Sequence, residues 1–273
     1  MKPLAWLEHP GAISERVMGN IALVRAFLET QTRVVTSYPG SPTPEIASGI
    51  QAIPPERRPF HFEFSVNEKV ATEVALGASL NGHLSAVFFK SVGLNVAADA
   101  FVQLNHMTLP GGMVVVIGDD PGCHSSQNEQ DNRHLARLSY TPLLEPGSPE
   151  EIYRFYLRAA ELARKHQMAI ILRLSTHTCH QEERVSFGPL PPPSPPGPPL
   201  FDPARGPYLP VTQRVFPMKA RALRQLEAVR QEADTPRHNT LWGSLQARRG
   251  IITSGWAFLS LMDLLDTSPP PPV

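Results

Sequence analysis

The chain has 273 residues, 41% of them hydrophobic and 18% charged, with 25 basic and 25 acidic side chains that balance to zero formal charge. This length holds one sizeable core and part of a second, since domains commonly run about 100–200 residues. With no basic run, no aromatic-basic stripe, no apolar stretch near the roughly 18 residues that span a bilayer and no signal-peptide core at the N-terminus, nucleic acid and membrane partners are disfavoured and a cytoplasmic location is expected.

In chain order, Ile21, Leu23, Val24, Phe27 and Leu28 mark a helical apolar face, and Arg33 to Ser37 reads as a short strand. Pro39 through Pro44 stop that strand and form a rigid loop. Asn67 is a candidate helix cap, after which Val70, Val74, Leu76 and Ala78 repeat near helical period up to Gly82. Next come a strand over Leu84 to Phe89, a helix over Val96 to His106 and an apolar strand over Met113 to Ile117. A long amphipathic helix from Pro149 to His166, with Ile152, Phe155, Tyr156 and Ala159 on one face, leads to a strand over Met168 to Leu174. Strands separated by helices of this length predict an α/β fold, a parallel sheet flanked by helices with right-handed crossovers.

Between Gly188 and Pro207 lies most of a proline cluster, which cannot donate ladder hydrogen bonds and predicts an extended, semi-rigid linker. Beyond it, Met218 to Ala233 reads as an exposed helix, and Gly250 to Gly255 as a strand entering a helix over Trp256 to Leu265. One strand-helix unit cannot bury its own face. The expected organisation is therefore a first domain over 1–188, a linker over 189–209 and an incomplete second α/β domain over 210–273.

The most informative segment is the polar string from Gly118 to Arg133, which includes Asp119, Asp120, Pro121, Gly122, His124, Asn128, Glu129, Gln130 and Asp131. It follows a strand that reads as buried, so it should emerge at the carboxyl end of the sheet, where open α/β sheets bind ligands. It is long for a simple strand-to-helix connection. Gly19-Asn20, Tyr38-Pro39-Gly40-Ser41-Pro42, Asn67-Glu68-Lys69-Val70-Ala71 and Val92-Gly93-Leu94-Asn95 precede it in order. In this pattern the chain resembles the amino-terminal part of the α subunits of indolepyruvate ferredoxin oxidoreductases, within the thiamine-diphosphate-dependent 2-oxoacid:ferredoxin oxidoreductases. The resemblance runs from about Ala12 to Arg173 and resumes more weakly from about Arg248 to Leu265. Two departures are Ser41 where the family usually has threonine, and Phe89 before Lys90 where it has methionine.

The resemblance implies a thiamine-diphosphate-binding fold and a set of site residues. Glu68 takes the position of the acid beside N1′ of the aminopyrimidine, the catalytic carboxyl, with Glu63 and Glu73 as weaker substitutes. On position alone, Glu68 reads first as a helix-first-turn glutamate stabilised by the macrodipole, an order that the Asn67-Glu68-Lys69-Val70-Ala71 context reverses. Tyr38, Gly40, Ser41, Gly93 and Asn95 are the implied cofactor-binding residues besides Glu68. Ser41, Lys90, Asp120, His124 and Asn128 are implied on the substrate side. Gly40 permits close backbone approach and Ser41 retains the hydroxyl of threonine.

Asp119, Asp120, His124, Asn128 and Asp131 include metal-ligating residue types, but their spacing fixes no coordination geometry, and His177-Thr178-Cys179-His180 matches no common zinc motif. No metal site is expected. Dinucleotide and P-loop glycine motifs are missing. Cys123 and Cys179 are too few to ligate an iron–sulfur cluster and make no disulfide framework. The Gly-Asp-Gly signature of a pyrophosphate-binding module is also missing from the sequence.

The resemblance therefore implies the pyrimidine half of a thiamine diphosphate site, with Mg²⁺ and the iron–sulfur clusters on other modules or chains. The complete enzyme would decarboxylate and oxidise an aryl-2-oxoacid such as indolepyruvate, pass electrons to ferredoxin and release an acyl-CoA. The expected partners are a pyrophosphate-binding module or chain, a β subunit and ferredoxin, in a homo- or hetero-oligomeric complex. The other open class is a non-catalytic, truncated or repurposed pyrimidine domain that acts as an interaction protein.

Overall fold

In the computed structural model, residues 4–192, 194–195, 197–233, 239–244 and 246–265 are described. The elements in chain order are β1 (Ile13–Met18), α1 (Gly19–Glu29), β2 (Val34–Ser37), α2 (Pro44–Gln51), β3 (His61–Phe64), α3 (Glu68–Leu80), β4 (Ser85–Lys90) and α4 (Gly93–Phe101). They continue with β5 (Met113–Asp119), α5 (Arg133–Leu138), β6 (Leu143–Leu144), α6 (Pro149–His166), β7 (Ala169–Ser175), α7 (Thr176–His180), β8 (Glu182–Phe187), α8 (Val215–Ala233) and α9 (Gly255–Leu264).

A six-stranded parallel sheet in the order β3-β2-β4-β5-β7-β6 forms the centre. Successive strand residues point to opposite faces, and each face has its own apolar layer. Val35, Ala86, Phe88, Val114, Val116, Ile170 and Leu172 pack against α1, α2 and α6, through Phe27, Ile46, Ile50 and Leu162 among others. Val87, Phe89, Val115, Ile117, Ala169 and Ile171 pack against α3, α4 and α5, through Ala71, Ala75, Leu94, Phe101 and Ala136. The near-continuous apolar run of β5, buried along its whole length, is what a central parallel strand covered on both faces requires.

The chain steps from β2 outward to β3, returns across β2 to β4, and then proceeds in the opposite direction to β5 and β7. The strand order thus reverses between β2 and β4, and the carboxyl ends of these two strands flank the crevice where such sheets bind ligands.

The antiparallel pair of β1 and β8 is not anticipated by the sequence reading. Each is a short, half-polar strand, and its partner lies far away in the sequence. Buried Arg25 secures this end of the molecule: its guanidinium donates to the carbonyls of Leu7 at 2.7 Å, His9 at 2.8 Å and Gly188 at 2.7 Å, and to Glu29 Oε1 at 2.8 Å. The arginine is fully buried, so these contacts replace its water and tie three chain segments together.

The proline-rich segment differs from the spacer expected of it. It runs along the domain surface, with the Leu190 N–H donating to Pro10 O at 2.9 Å, the Leu200 N–H to Asn81 O at 3.1 Å, and Pro207 O accepting from the Thr108 N–H at 3.1 Å. Pro193 and Pro196 lie outside the described residues. α8 is not wholly exposed either: Met218, Ala222 and Val229 are buried, and Glu232 pairs with Lys165 at 2.7 Å and His166 at 3.0 Å. It packs on the domain that precedes it. The strand expected over 250–255 does not form; a segment without regular structure, with exposed Ile251 and Ile252, leads into α9, whose first residue is Gly255. The terminal prolines lie outside the described residues.

Candidate functional site

Every residue assigned to a site from sequence follows the carboxyl end of a strand or opens a helix there. Tyr38, Gly40 and Ser41 follow β2, Glu68 opens α3, Lys90 ends β4, Gly93 and Asn95 open α4, and Asp120, His124 and Asn128 follow β5. The fold brings these separate segments to one edge.

Asn67 caps α3 as its residue type suggests, its Oδ1 accepting the Val70 N–H at 2.9 Å from extended backbone. The cap turns Glu68 inward. Glu68 is 6% exposed, and among the described residues its carboxylate has no hydrogen-bond or ion-pair partner. This sets it apart from a solvated first-turn glutamate. Gly93 lies directly against it: a Cβ there would fall 2.7 Å from both Cγ and Oε1 of Glu68. Glu63 is instead engaged by His61 at 2.7 Å, and Glu73 is exposed near Lys69 at 3.9 Å.

The Tyr38–Pro42 turn is packed from two sides. A Cβ on Gly40 would meet the Lys90 side chain at 2.8 Å, and one on Gly118 would meet Thr43 at 2.7 Å and Pro42 at 2.9 Å. The Thr43 hydroxyl closes the turn by donating to Gly40 O at 2.9 Å. Among the described residues, Lys90 Nζ reaches only neutral acceptors, Ser125 O at 3.4 Å and Gln127 Oε1 at 3.3 Å. Tyr38, Phe64, Val66 and Val96, all at this edge, expose large apolar side chains, with Val66 at 79%.

The Gly118–Arg133 loop is organised by residues that sequence reasoning did not single out. Buried Arg173 donates to Asp119 at 2.6 Å and to Glu145 at 2.6 Å. Asp119 in turn accepts from the Asn132 side chain, which also donates to Ser91 O at 3.2 Å. Burial pushes the Asp119 carboxyl up, with Arg173 and Asn132 acting against that rise. Gln130 donates to Asn132 Oδ1 at 2.7 Å and makes a reciprocal amide pair with Asn95, at 2.8 and 2.9 Å. The hydrogen bond from Arg133 holds the Asp131 carboxyl down at about 2. Nothing in a uniformly polar string ranks Gln130 and Asn132 above their neighbours. Only their contacts do.

Asp120 is placed differently from its expected substrate-facing role. It is 3% exposed and its carboxylate is taken by the Ser125 N–H at 2.7 Å and the Thr176 hydroxyl at 2.8 Å, so it shapes the loop from within. Burial alone would raise its pKa, but the donated bonds from Ser125, Thr176, Ser126 and His124 outweigh it and hold the carboxyl below its ordinary value. A carboxyl depressed on folding stabilises the fold above its unfolded pKa, near 3.9, and loses that contribution as pH falls through the lower folded value. Asp120→Asn is therefore expected to lower stability at neutral pH by about 1 kcal/mol, with the gap to wild type closing in acid, as the pH falls below the unfolded pKa and through the lower folded one. Denaturant unfolding at neutral and acid pH tests this; a gap unchanged by acid would refute the ionised role.

His124 and Asn128 are exposed on the loop. The His124 ring meets His177 edge-on at 5.8 Å, and His177 stacks on Trp256 of α9 at 4.8 Å. A cavity of about 380 Å³, lined by Arg133, Glu145, Arg173, Ser175, Ile252 and Trp256 among others, lies on this far side of the loop, away from Glu68. Among the described residues, no group of three or more His, Cys, Asp or Glu side chains is arranged to hold a metal ion.

The chain is similar to the indolepyruvate oxidoreductase subunits IorA of Methanothermobacter marburgensis, at 39% identity over 92% of this chain, and Methanothermobacter thermautotrophicus, at 40% identity over 92%. The subunit of the same name from Pyrococcus abyssi is 38% identical over 92% of the chain. The chain spans about two-fifths of the length of these relatives, 40%, 40% and 39% respectively. A solved 2-oxoglutarate:ferredoxin oxidoreductase from Magnetococcus marinus, with 2-oxoglutarate, coenzyme A and succinyl-CoA bound, shares the fold at a TM-score of 0.69 and 16% identity, over 94% of this chain and 52% of that one. The model of one family matches residues 25–222, a span that runs from α1 to α8 and takes in the whole carboxyl edge just described. The chain therefore belongs to the pyruvate flavodoxin/ferredoxin oxidoreductase, thiamine-diphosphate-binding family.

Proposed function

We propose that this chain is the pyrimidine-side module of a cytoplasmic thiamine-diphosphate-dependent oxidoreductase that acts on aryl-2-oxoacids, of the indolepyruvate:ferredoxin type, and that it is catalytically incomplete by itself. The observation that carries this reading is Glu68, a buried carboxyl with no protein partner among the described residues, held over Gly93 at the reversal of strand order. A buried ionisable group left unpaired is costly unless a ligand completes it. A protonatable ring nitrogen such as N1′ of the aminopyrimidine is a fitting complement. The relatives named for indolepyruvate supply the substrate class.

In this reading Glu68 shares a proton with N1′, and Gly93 keeps the approach open. Tyr38, Gly40 and Asn95 line the cofactor side. When bound, thiamine diphosphate would supply a thiazolium carbon as the nucleophile toward the 2-oxo group and a cationic ring as the sink for the electron pair released with carbon dioxide. Lys90, a cation without a carboxylate partner among the described residues, attracts the substrate carboxylate, and the Ser41 hydroxyl, His124 and Asn128 orient it. Asp120 holds the loop rather than the substrate. Mg²⁺ and iron–sulfur clusters belong to a pyrophosphate-binding module, a β subunit and ferredoxin. The exposed Tyr38, Phe64, Val66 and Val96 support a partner at this edge.

The isolated chain is expected to bind thiamine diphosphate weakly even in excess Mg²⁺, and to associate with a co-expressed pyrophosphate-module chain that restores binding. Calorimetry and light scattering test both. Micromolar, Mg²⁺-dependent binding by the chain alone, or a stable monomer that captures no such partner, would overturn the incomplete-module reading.

A further inference from the structure

The Gly19-Asn20 pair has no part in the chemistry above, yet the structure places it directly behind the substrate-side turn. A Cβ on Gly19 would lie 2.1 Å from the Thr178 carbonyl oxygen, so the glycine is what lets α7 close on the start of α1. The Gly19 N–H donates to Gln181 O at 3.1 Å as part of that closure. Asn20 is thereby fully buried. Its Nδ2 donates to Pro42 O at 2.8 Å and to Glu45 Oε2 at 2.8 Å, while its Oδ1 has no partner. His180, from α7, stands 3.5 Å from the same Glu45 oxygen. Other restraints on the turn are packing against Lys90 and Gly118 and local bonds, among them those from the Thr43 hydroxyl and N–H to Gly40 O. Among the described residues, no other side chain from a separate element hydrogen-bonds to the backbone of Pro39 to Pro42.

We propose that Asn20 is a positioning residue: by holding the Pro42 carbonyl it sets where Ser41 stands relative to Glu68 and Lys90. The contact itself is independent of any ligand, and its consequence for substrate rests on the function proposed above. A carboxamide is required because both of its bonds here are donated. Aspartate has the same shape and donates neither.

The test compares Asn20→Asp with the double variant Asn20→Asp/Glu45→Gln, in which the new glutamine restores a donor toward residue 20 and removes the repulsion between carboxylates without restoring the bond to Pro42. Hydrogen exchange of the ligand-free chain is expected to be about tenfold faster in the peptide spanning residues 38–47 in both variants, the scale of one lost buried hydrogen bond, with the α6 peptide unchanged. Wild-type protection of that peptide in either variant would overturn the proposal. In the assembled enzyme, KM for the 2-oxoacid is expected to rise about tenfold with kcat changed less than about threefold, the pattern of lost substrate binding. An unchanged KM alongside a loosened turn would refute the link to substrate. Failure of the wild-type assembly to oxidise any 2-oxoacid would instead overturn the proposed function, and the exchange result would still decide whether Asn20 holds the turn.

Discussion

Glu68→Gln is expected to lower 2-oxoacid oxidation by the assembled enzyme by about 10²–10⁴-fold, the range typical of groups that hold or transfer a proton at the reacting centre. Glutamine keeps the size of the side chain and its place against Gly93, but it cannot exchange a proton with a ring nitrogen. Folding and assembly should survive, because among the described residues the carboxylate makes no polar contact that the substitution would break. Turnover close to wild type, with assembly confirmed by light scattering, would show that another carboxyl serves. Gly93→Ala approaches the same site from the opposite wall. Its methyl would overlap Cγ and Oε1 of Glu68, so cofactor retention is expected to weaken by about tenfold or more while the fold persists. Undiminished retention would mean that Glu68 has room to move aside.

Arg173→Met is expected to cost about 3–5 kcal/mol of stability, the range for removing one partner of a buried ion pair, because it leaves Asp119 buried with its strongest counter-charge gone. In a domain of this size that is a fall in melting temperature on the order of 10 °C. Methionine retains most of the aliphatic stem, so the loss is electrostatic and not a cavity effect. The double variant Asp119→Asn/Arg173→Met should recover the part due to Asp119, since replacing both members of a buried pair by neutral groups is often close to neutral, while among the described residues the partly exposed Glu145 keeps only Arg133, at 3.8 Å. The carboxamide introduced by Asp119→Asn would also keep an oxygen to accept the Asn132 N–H. Calorimetric scans of the single and double variants decide this: a single variant as stable as wild type would show that Arg173 is not what holds the loop. Recovery in the double variant would trace the defect to the stranded charge.

The sequence makes the α/β alternation legible because periodicity is a local property. Pro149 to His166 carries its own cap at Ser148, prolyl start and apolar stripe, and the helix has the expected bounds. The Met113 strand is a run of residues that only a doubly covered strand accommodates. Shorter or more polar elements were not legible. β1 and β8 are each half-polar and derive their stability from one another across most of the chain. The proline segment and α8 carry local signals of a spacer and an exposed helix, yet isolated bonds and a few apolar residues, Met218, Ala222 and Val229, dock them on the domain.

The residue types at the site were legible in the same way, as motifs, but their partners were not. Glu68, Lys90, Gly93 and the Tyr38–Pro42 turn stand out by context in the sequence. Whether Glu68 is buried or solvated, whether Asp120 faces a ligand or its own loop, and what Asn20, Gln130, Asn132 and Arg173 contact depend on side chains brought together from separate elements. By itself, the sequence determined the alternation of strands and helices, the polar string after β5 and the kinds of chemical group available, because each is written in neighbouring residues. Only the tertiary structure decided which buried carboxyl is, among the described residues, left without a partner and which are consumed in holding the loop, because desolvation and hydrogen bonding are properties of the packed arrangement and not of any one segment.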